Sequence, residues 1–179
     1  MNPIHKPAIA FFVLTAATCT TAQADTTCWP LVLPTSQSLT LAQSDPDAPW
    51  WDYFIIGDGV VDLGLGGPGP DLMHLGIYSE ESIGTLDLSA GDEANYASCM
   101  HCVLLMRDEG SAAAKIFFPA TGTLGYSNAP GTDPLPISLS NLRLVEVTID
   151  SNTFVSTPVP NGECYTQATD SIFESGFES

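Results

Sequence analysis

The chain has 179 residues and sets 21 Asp and Glu against 4 Lys and Arg, a formal net charge of −17. Such a balance excludes a nucleic-acid surface, because a polyphosphate is bound through basic side chains, and it argues equally against anionic lipid surfaces. It permits cation binding, although self-repulsion that keeps a surface solvated requires no bound ion.

The N-terminus has the form of a secretory signal. His5 and Lys6 precede an apolar run from Ala8 to Ala17, too short to span a bilayer. Ala22-Gln23-Ala24 gives a small-x-small cleavage pattern, so the signal is expected over 1–24 with cleavage before Asp25. Lipidation at Cys19 is the alternative, but Thr18 is a poor residue before a lipidated cysteine. Removing 24 residues leaves 155, enough for one domain with its own core, expected over 25–166. Only Arg107, Lys115 and Arg143 then balance the 21 acids, a side-chain charge of −18. No transmembrane segment is read from the remainder.

Cleavage also reduces five cysteines to four, Cys28, Cys99, Cys102 and Cys164. An even number in an exported chain indicates disulfides.

In chain order, Cys28 to Pro34 carries prolines that suit an edge strand. Ser36 to Pro49 has the composition of a loop. Trp50 to Asp58 is an expected strand, and Gly64 to Asp71 a loop. Leu72 to Tyr78 and Gly84 to Leu88 are expected strands, joined as a hairpin through Ser79-Glu80-Glu81-Ser82. Val103 to Met106 is apolar on both alternating faces, which predicts a strand buried on both sides. Cys102 to Tyr126 is expected to form three sequential antiparallel strands, followed by a loop over Asn128 to Pro136. In Leu142 to Asp150 the apolar alternation changes phase between Leu144 and Val145, predicting a β-bulge or a change of sheet there. Thr153 to Val159 is the last expected strand. Residues 167–179 are expected to be a flexible tail.

The recurrent Pro and Gly between short Val-, Ile-, Leu- and Phe-rich runs predict an all-β chain, a single antiparallel β-sandwich of roughly eight to ten strands with two disulfides. Val103, Leu105, Phe117, Leu144, Val147 and Ile149 are the expected core.

Three motifs carry a resemblance: Asn95-Tyr96-Ala97-x-Cys99-x-x-Cys102-Val103-Leu104, Leu144-Val145-Glu146-Val147-Thr148-Ile149-Asp150, and Phe154-Val155-Ser156-Thr157-Pro158-Val159-Pro160-x-Gly162-x-Cys164. Together they resemble an uncharacterised β-rich domain of exported proteins of Gram-negative bacteria, over about Leu72 to Cys164. The resemblance implies no activity. The ending Ile172-Phe173-x-x-Gly176-Phe177-Glu178 resembles a short tail shared by otherwise unrelated exported proteins, which implies a sorting or surface-processing address.

Cys99-Met100-His101-Cys102 admits a structural disulfide, a redox dithiol, or a metal site completed by His101 and His74. In an extended strand Cys99 and Cys102 would lie about 10 Å apart, beyond the roughly 7 Å limit for a bridge. A Cys99–Cys102 bond therefore requires a turn over 97–102, with the strand starting near Val103. The companion bond would be Cys28–Cys164. We favour that pairing over the two crossed ones.

Asp45, Asp47, Asp58 and Asp62 cluster with Asp52 and Asp71 in the front half. Calcium, which takes carboxylate and carbonyl oxygens, is the candidate ion, although no EF-hand loop or glycine-aspartate repeat is present. Trp50 and Trp51 are candidate stacking platforms for a sugar ring. Neighbours in a strand face opposite ways, so one of the two is expected to face the core. Gly-x-Ser-x-Gly, His-Glu-x-x-His and a phosphate loop are missing.

The function expected from these features is a non-catalytic exported β domain, a surface interaction or envelope module without a cofactor, its partner another cell-surface protein or a glycan. A calcium-assisted carbohydrate binder is the second reading and a secreted enzyme the third.

Overall fold

The structure is a computed structural model. It describes residues 27–33, 36–45, 50–57, 63, 65–67, 69–81, 83–112 and 114–167. The expected signal (1–24), the tail from 168 onward, and Asp47, Asp58 and Asp62 lie outside the described residues. So does the Asp45 side chain.

The chain is all-β. Its strands are β1 Trp29–Leu31, β2 Ser36–Asp45, β3 Trp50–Gly57, β4 Asp71–Ile77, β5 Leu86–Asp87, β6 His101–Arg107, β7 Lys115–Gly125, β8 Leu135–Ile149, β9 Ser156–Pro158 and β10 Cys164–Gln167. A 3-10 turn over Gly91–Ala94 is the only helical element among the described residues. No helix among them is long and apolar enough to cross a membrane.

Hydrogen bonds join all ten strands into one sheet. Six of them close a ring, in the order β8, β2, β3, β4, β6, β7 and back to β8, with every pair antiparallel. Closure follows from the length of β8. One of its edges pairs with β7, while the other takes β2 at its start, then β10, then β9. β1 adds to β10 in parallel, so the sheet is mixed rather than purely antiparallel.

The ring interior holds the main core, including Tyr53, Leu75, Val103, Leu105, Phe117, Leu139 and Leu144. A second cluster of Cys99, Cys102, Leu104, Phe118 and Val147 lies on the outer face, with Tyr78, Tyr96, Val145 and Ile149 packed against it. β6 therefore buries both faces, as its apolar run requires. Of the six expected core residues, Val103, Leu105, Phe117, Leu144 and Val147 are buried. Ile149 is half-buried against the outer cluster.

The outer cluster also explains the apolar phase change in β8. Leu144 faces the ring interior, and Val145, Val147 and Ile149 face the outer cluster. Pairing with β10 and β7 runs without a shift through Leu144 and Val145, so no bulge lies there. The irregularity lies earlier, at Pro119 to Thr123 of β7 opposite Ser140 to Leu144, where Asn141 adopts φ 53°.

Several expectations are corrected. Ser36–Asp45 is a strand, not a loop, because Leu39 and Leu41 alternate with polar residues and both edges find partners in β3 and β8. β4 and β5 form no hairpin: β4 pairs with β3 and β6, and the two-residue β5 pairs with β7. The span from Cys102 to Tyr126 holds two strands rather than three, since β7 continues through Pro119. The last expected strand shortens to Ser156–Pro158 and is followed by β10. Gln167 belongs to the domain rather than the tail. Its buried side-chain amide donates to the Leu33 and Leu139 carbonyls and accepts from the Leu142 N–H.

Candidate functional site

Cys28 pairs with Cys164 and Cys99 with Cys102, at Cα–Cα separations of 4.7 Å and 5.3 Å. The first bond ties β1 to β10, the two ends of the described domain. The second begins in a turn, where the Ser98 and Cys99 N–H groups donate to the Asn95 carbonyl. It ends inside β6, which starts at His101 rather than Val103.

The segment from Gly91 to Met100 is clamped to the sheet at three places. The Tyr78 N–H donates to the Met100 carbonyl at 2.9 Å. Asn95 mimics a strand partner for β9: its amide donates to the Ser156 carbonyl at 3.0 Å and accepts from the Ser156 N–H at 3.2 Å. The Tyr96 N–H donates to the Ser156 hydroxyl. Third, the buried Glu93 carboxylate accepts from the His101 backbone N–H and from His101 Nδ1, each at 3.0 Å. Because a carboxylate only accepts, the proton sits on Nδ1. Nε2 is buried without a partner. Burial alone raises the Glu93 carboxyl, but hydrogen bonds from His101 and from the Met100 backbone outweigh it and hold the group below its usual range.

This clamped segment walls a cleft of about 450 Å³ on the outer face, lined by Tyr78, Tyr96, Ala97, Ser98, Met100, Phe154 and the Cys99–Cys102 pair. Phe154 comes from the β8–β9 turn. There the Asp150 carboxylate accepts from the Asn152 and Thr153 N–H groups and the Thr153 hydroxyl. Phe154 adopts φ 59° and is 56% exposed. Met100 and Val155 beside it are 41% and 42% exposed. The lining carries no charged side chain.

Behind the cleft, β3 and β4 set a row of side chains on the same outer face. Tyr78 folds its ring back over Gly76, where a Cβ would meet the ring edge at 3.1 Å, so a side chain here would require the ring to shift by a few tenths of an ångström. Its hydroxyl accepts from the Trp50 indole N–H. Asp52 pairs across from Gly76 and bonds His74 Nε2 at 2.8 Å, and Phe54 stacks on the His74 ring at 5.0 Å. Burial raises the Tyr78 and Tyr96 hydroxyls above their usual value, and the Asp52 carboxylate adds to the rise in both.

Trp51 points the other way, packed against the main core with its indole beneath Gly131. Of the two tryptophans only Trp50 lies on the outer face. His74 and His101 are not brought together: His74 faces outward, whereas His101, opposite the core residue Ile77, faces inward. Among the described residues no group of three His, Cys, Asp or Glu side chains is placed to hold a metal.

At another place on the sheet, Glu163 gathers Arg107 and Lys115, and Lys115 also reaches Glu146 at 3.1 Å. Arg107 donates to the Tyr165 hydroxyl as well.

Sequence reasoning missed Glu93, Tyr78, Tyr96, Met100 and Phe154 as site residues. Phe154 and Val155 did carry a usable signal, an apolar pair directly after the turn-forming Asp150-Ser-Asn-Thr153.

Fold and site together define a disulfide-linked all-β domain with an aromatic cleft outside its main core. Comparison of the chain with protein-family models, with curated proteins and with solved structures finds no match.

Proposed function

We propose that the chain is an exported, non-catalytic recognition domain, a surface interaction or envelope module that binds through the aromatic cleft beside the Cys99–Cys102 turn. The observation that carries this reading is Phe154. A turn braced by Asp150 holds its ring in solvent from a left-handed backbone, next to Met100 and two tyrosines. Strain and exposure spent together on an apolar ring are features of binding surfaces. Export is supported by the signal-like N-terminus and the paired cysteines. Residues of two of the three motifs, those over 95–104 and 154–164, line this cleft. The corresponding fold reading is a sandwich, the six-stranded ring flattened into two facing sheets.

A second reading, glycan stacking, is favoured by the half-exposed Trp50 on the same face.

An NMR ligand screen with the Tyr78, Tyr96, Met100 and Phe154 signals assigned tests both. The first reading expects shifts centred on those four residues, and a folded Phe154→Ser variant should lose them. Shifts from neutral sugars centred on Trp50 would transfer the assignment to the second reading. No shift at the cleft with any compound class would sink the first.

A further inference from the structure

Resting on the cleft as a recognition site, we propose that its ligand carries a quaternary ammonium group. The walls supply three aromatic rings, Tyr78, Tyr96 and Phe154, together with Met100. Aromatic faces attract a cation through their quadrupole and do so most strongly where water is displaced. The surrounding charge has the same preference. The chain is strongly acidic, Asp52 projects its field onto both tyrosine hydroxyls, and Arg107 and Lys115 are neutralised by Glu163 and Glu146. An anion is disfavoured throughout this face.

The lining also decides which cation fits. It holds no carboxylate: Asp52 stands behind Tyr78, committed to His74. A guanidinium or a primary ammonium seated against the rings would find only neutral hydroxyl and backbone oxygens, with no carboxylate to match its several N–H donors. A quaternary ammonium has no N–H to satisfy. Its charge is spread over methyl groups that pack on rings and sulfur, and a volume of about 450 Å³ leaves room for the chain that bears it.

The experiment titrates choline into the labelled protein, with 3,3-dimethylbutanol as its neutral isostere and N-acetyl-arginine amide as a donor-bearing cation. Choline should shift the Tyr78, Tyr96, Met100 and Phe154 signals and bind about tenfold or more tighter than the isostere. Phe154→Ala removes an exposed ring and should weaken choline about tenfold while leaving the fold intact. Asp52→Asn keeps the hydrogen bond to His74 and should weaken choline about threefold without affecting the isostere. Equal affinity for choline and isostere would overturn the cation assignment while leaving the cleft a binding site. Tighter binding of the arginine derivative would overturn the choice among cations. Absence of shifts at the cleft with all three probes, together with a negative ligand screen, would overturn the recognition reading itself.

Discussion

Glu93 offers the sharpest test of how the cleft is held together. Replacing it with Ala strips partners from two buried donors, the His101 backbone N–H and His101 Nδ1–H, and leaves a third donor at Met100 unpaired. Each unsatisfied buried donor costs about 1–3 kcal/mol, so the two on His101 together cost about 2–6 kcal/mol. For a domain of this size that loss lowers the thermal midpoint by about 6–20 °C. The assay is urea and thermal unfolding of wild type and Glu93→Ala, followed by circular dichroism from neutral to acid pH. The folded-state value of Glu93 is depressed, so its contribution is present above the unfolded value of about 4.5 and disappears as pH falls through the folded value. The gap between the two proteins should therefore narrow below about pH 4.5. A gap under about 0.5 kcal/mol at neutral pH, or one that does not change on acidification, would refute the account.

Glu163→Gln should cost about 1 kcal/mol at low salt, because the carboxylate is partly exposed and screened. Lys115 first and then Arg107 depress Glu163, so this penalty too should disappear below about pH 4.5, and it should shrink with added salt in the same unfolding series. Removing the Cys28–Cys164 bond, which closes a separation of 136 residues, should cost about 5 kcal/mol in the chain-entropy model, against about 1.5 kcal/mol for Cys99–Cys102. Denaturant midpoints of the paired Cys→Ala variants give that ratio. Gly67 adopts φ 106° with the Asp108 carboxylate where a Cβ would stand, and Gly66 adopts φ 67° facing open space. Gly67→Ala should lose about 3 kcal/mol and Gly66→Ala about 1 kcal/mol in chemical denaturation, the difference combining the Asp108 contact with the less favourable backbone angle at Gly67.

The sequence by itself determined what depends on local pattern and composition. Period-two alternation and Pro/Gly punctuation made the chain all-β. The both-face apolar run in Val103 to Met106 marked a strand between two packed layers, and Val103 and Leu104 do divide between the two clusters. The three-residue spacing of Cys99 and Cys102 required a turn, and the structure has one. Tertiary structure decided whatever depends on partners distant in sequence. Ser36–Asp45 is too polar to announce itself and became a strand because β3 and β8 each offered an open edge. The phase change at Leu144 and Val145 could not be told from a bulge until a second cluster was found outside the ring. The cleft was hidden for the same reason. Its rings come from the end of β4, the clamped turn before β6 and the β8–β9 turn, and the Tyr78–Met100 bond together with the pairing of Asn95 and Ser156, 61 residues apart, sets them side by side. Side-chain alternation is a property of a strand, whereas convergence is a property of closure, and no window of local sequence contains it.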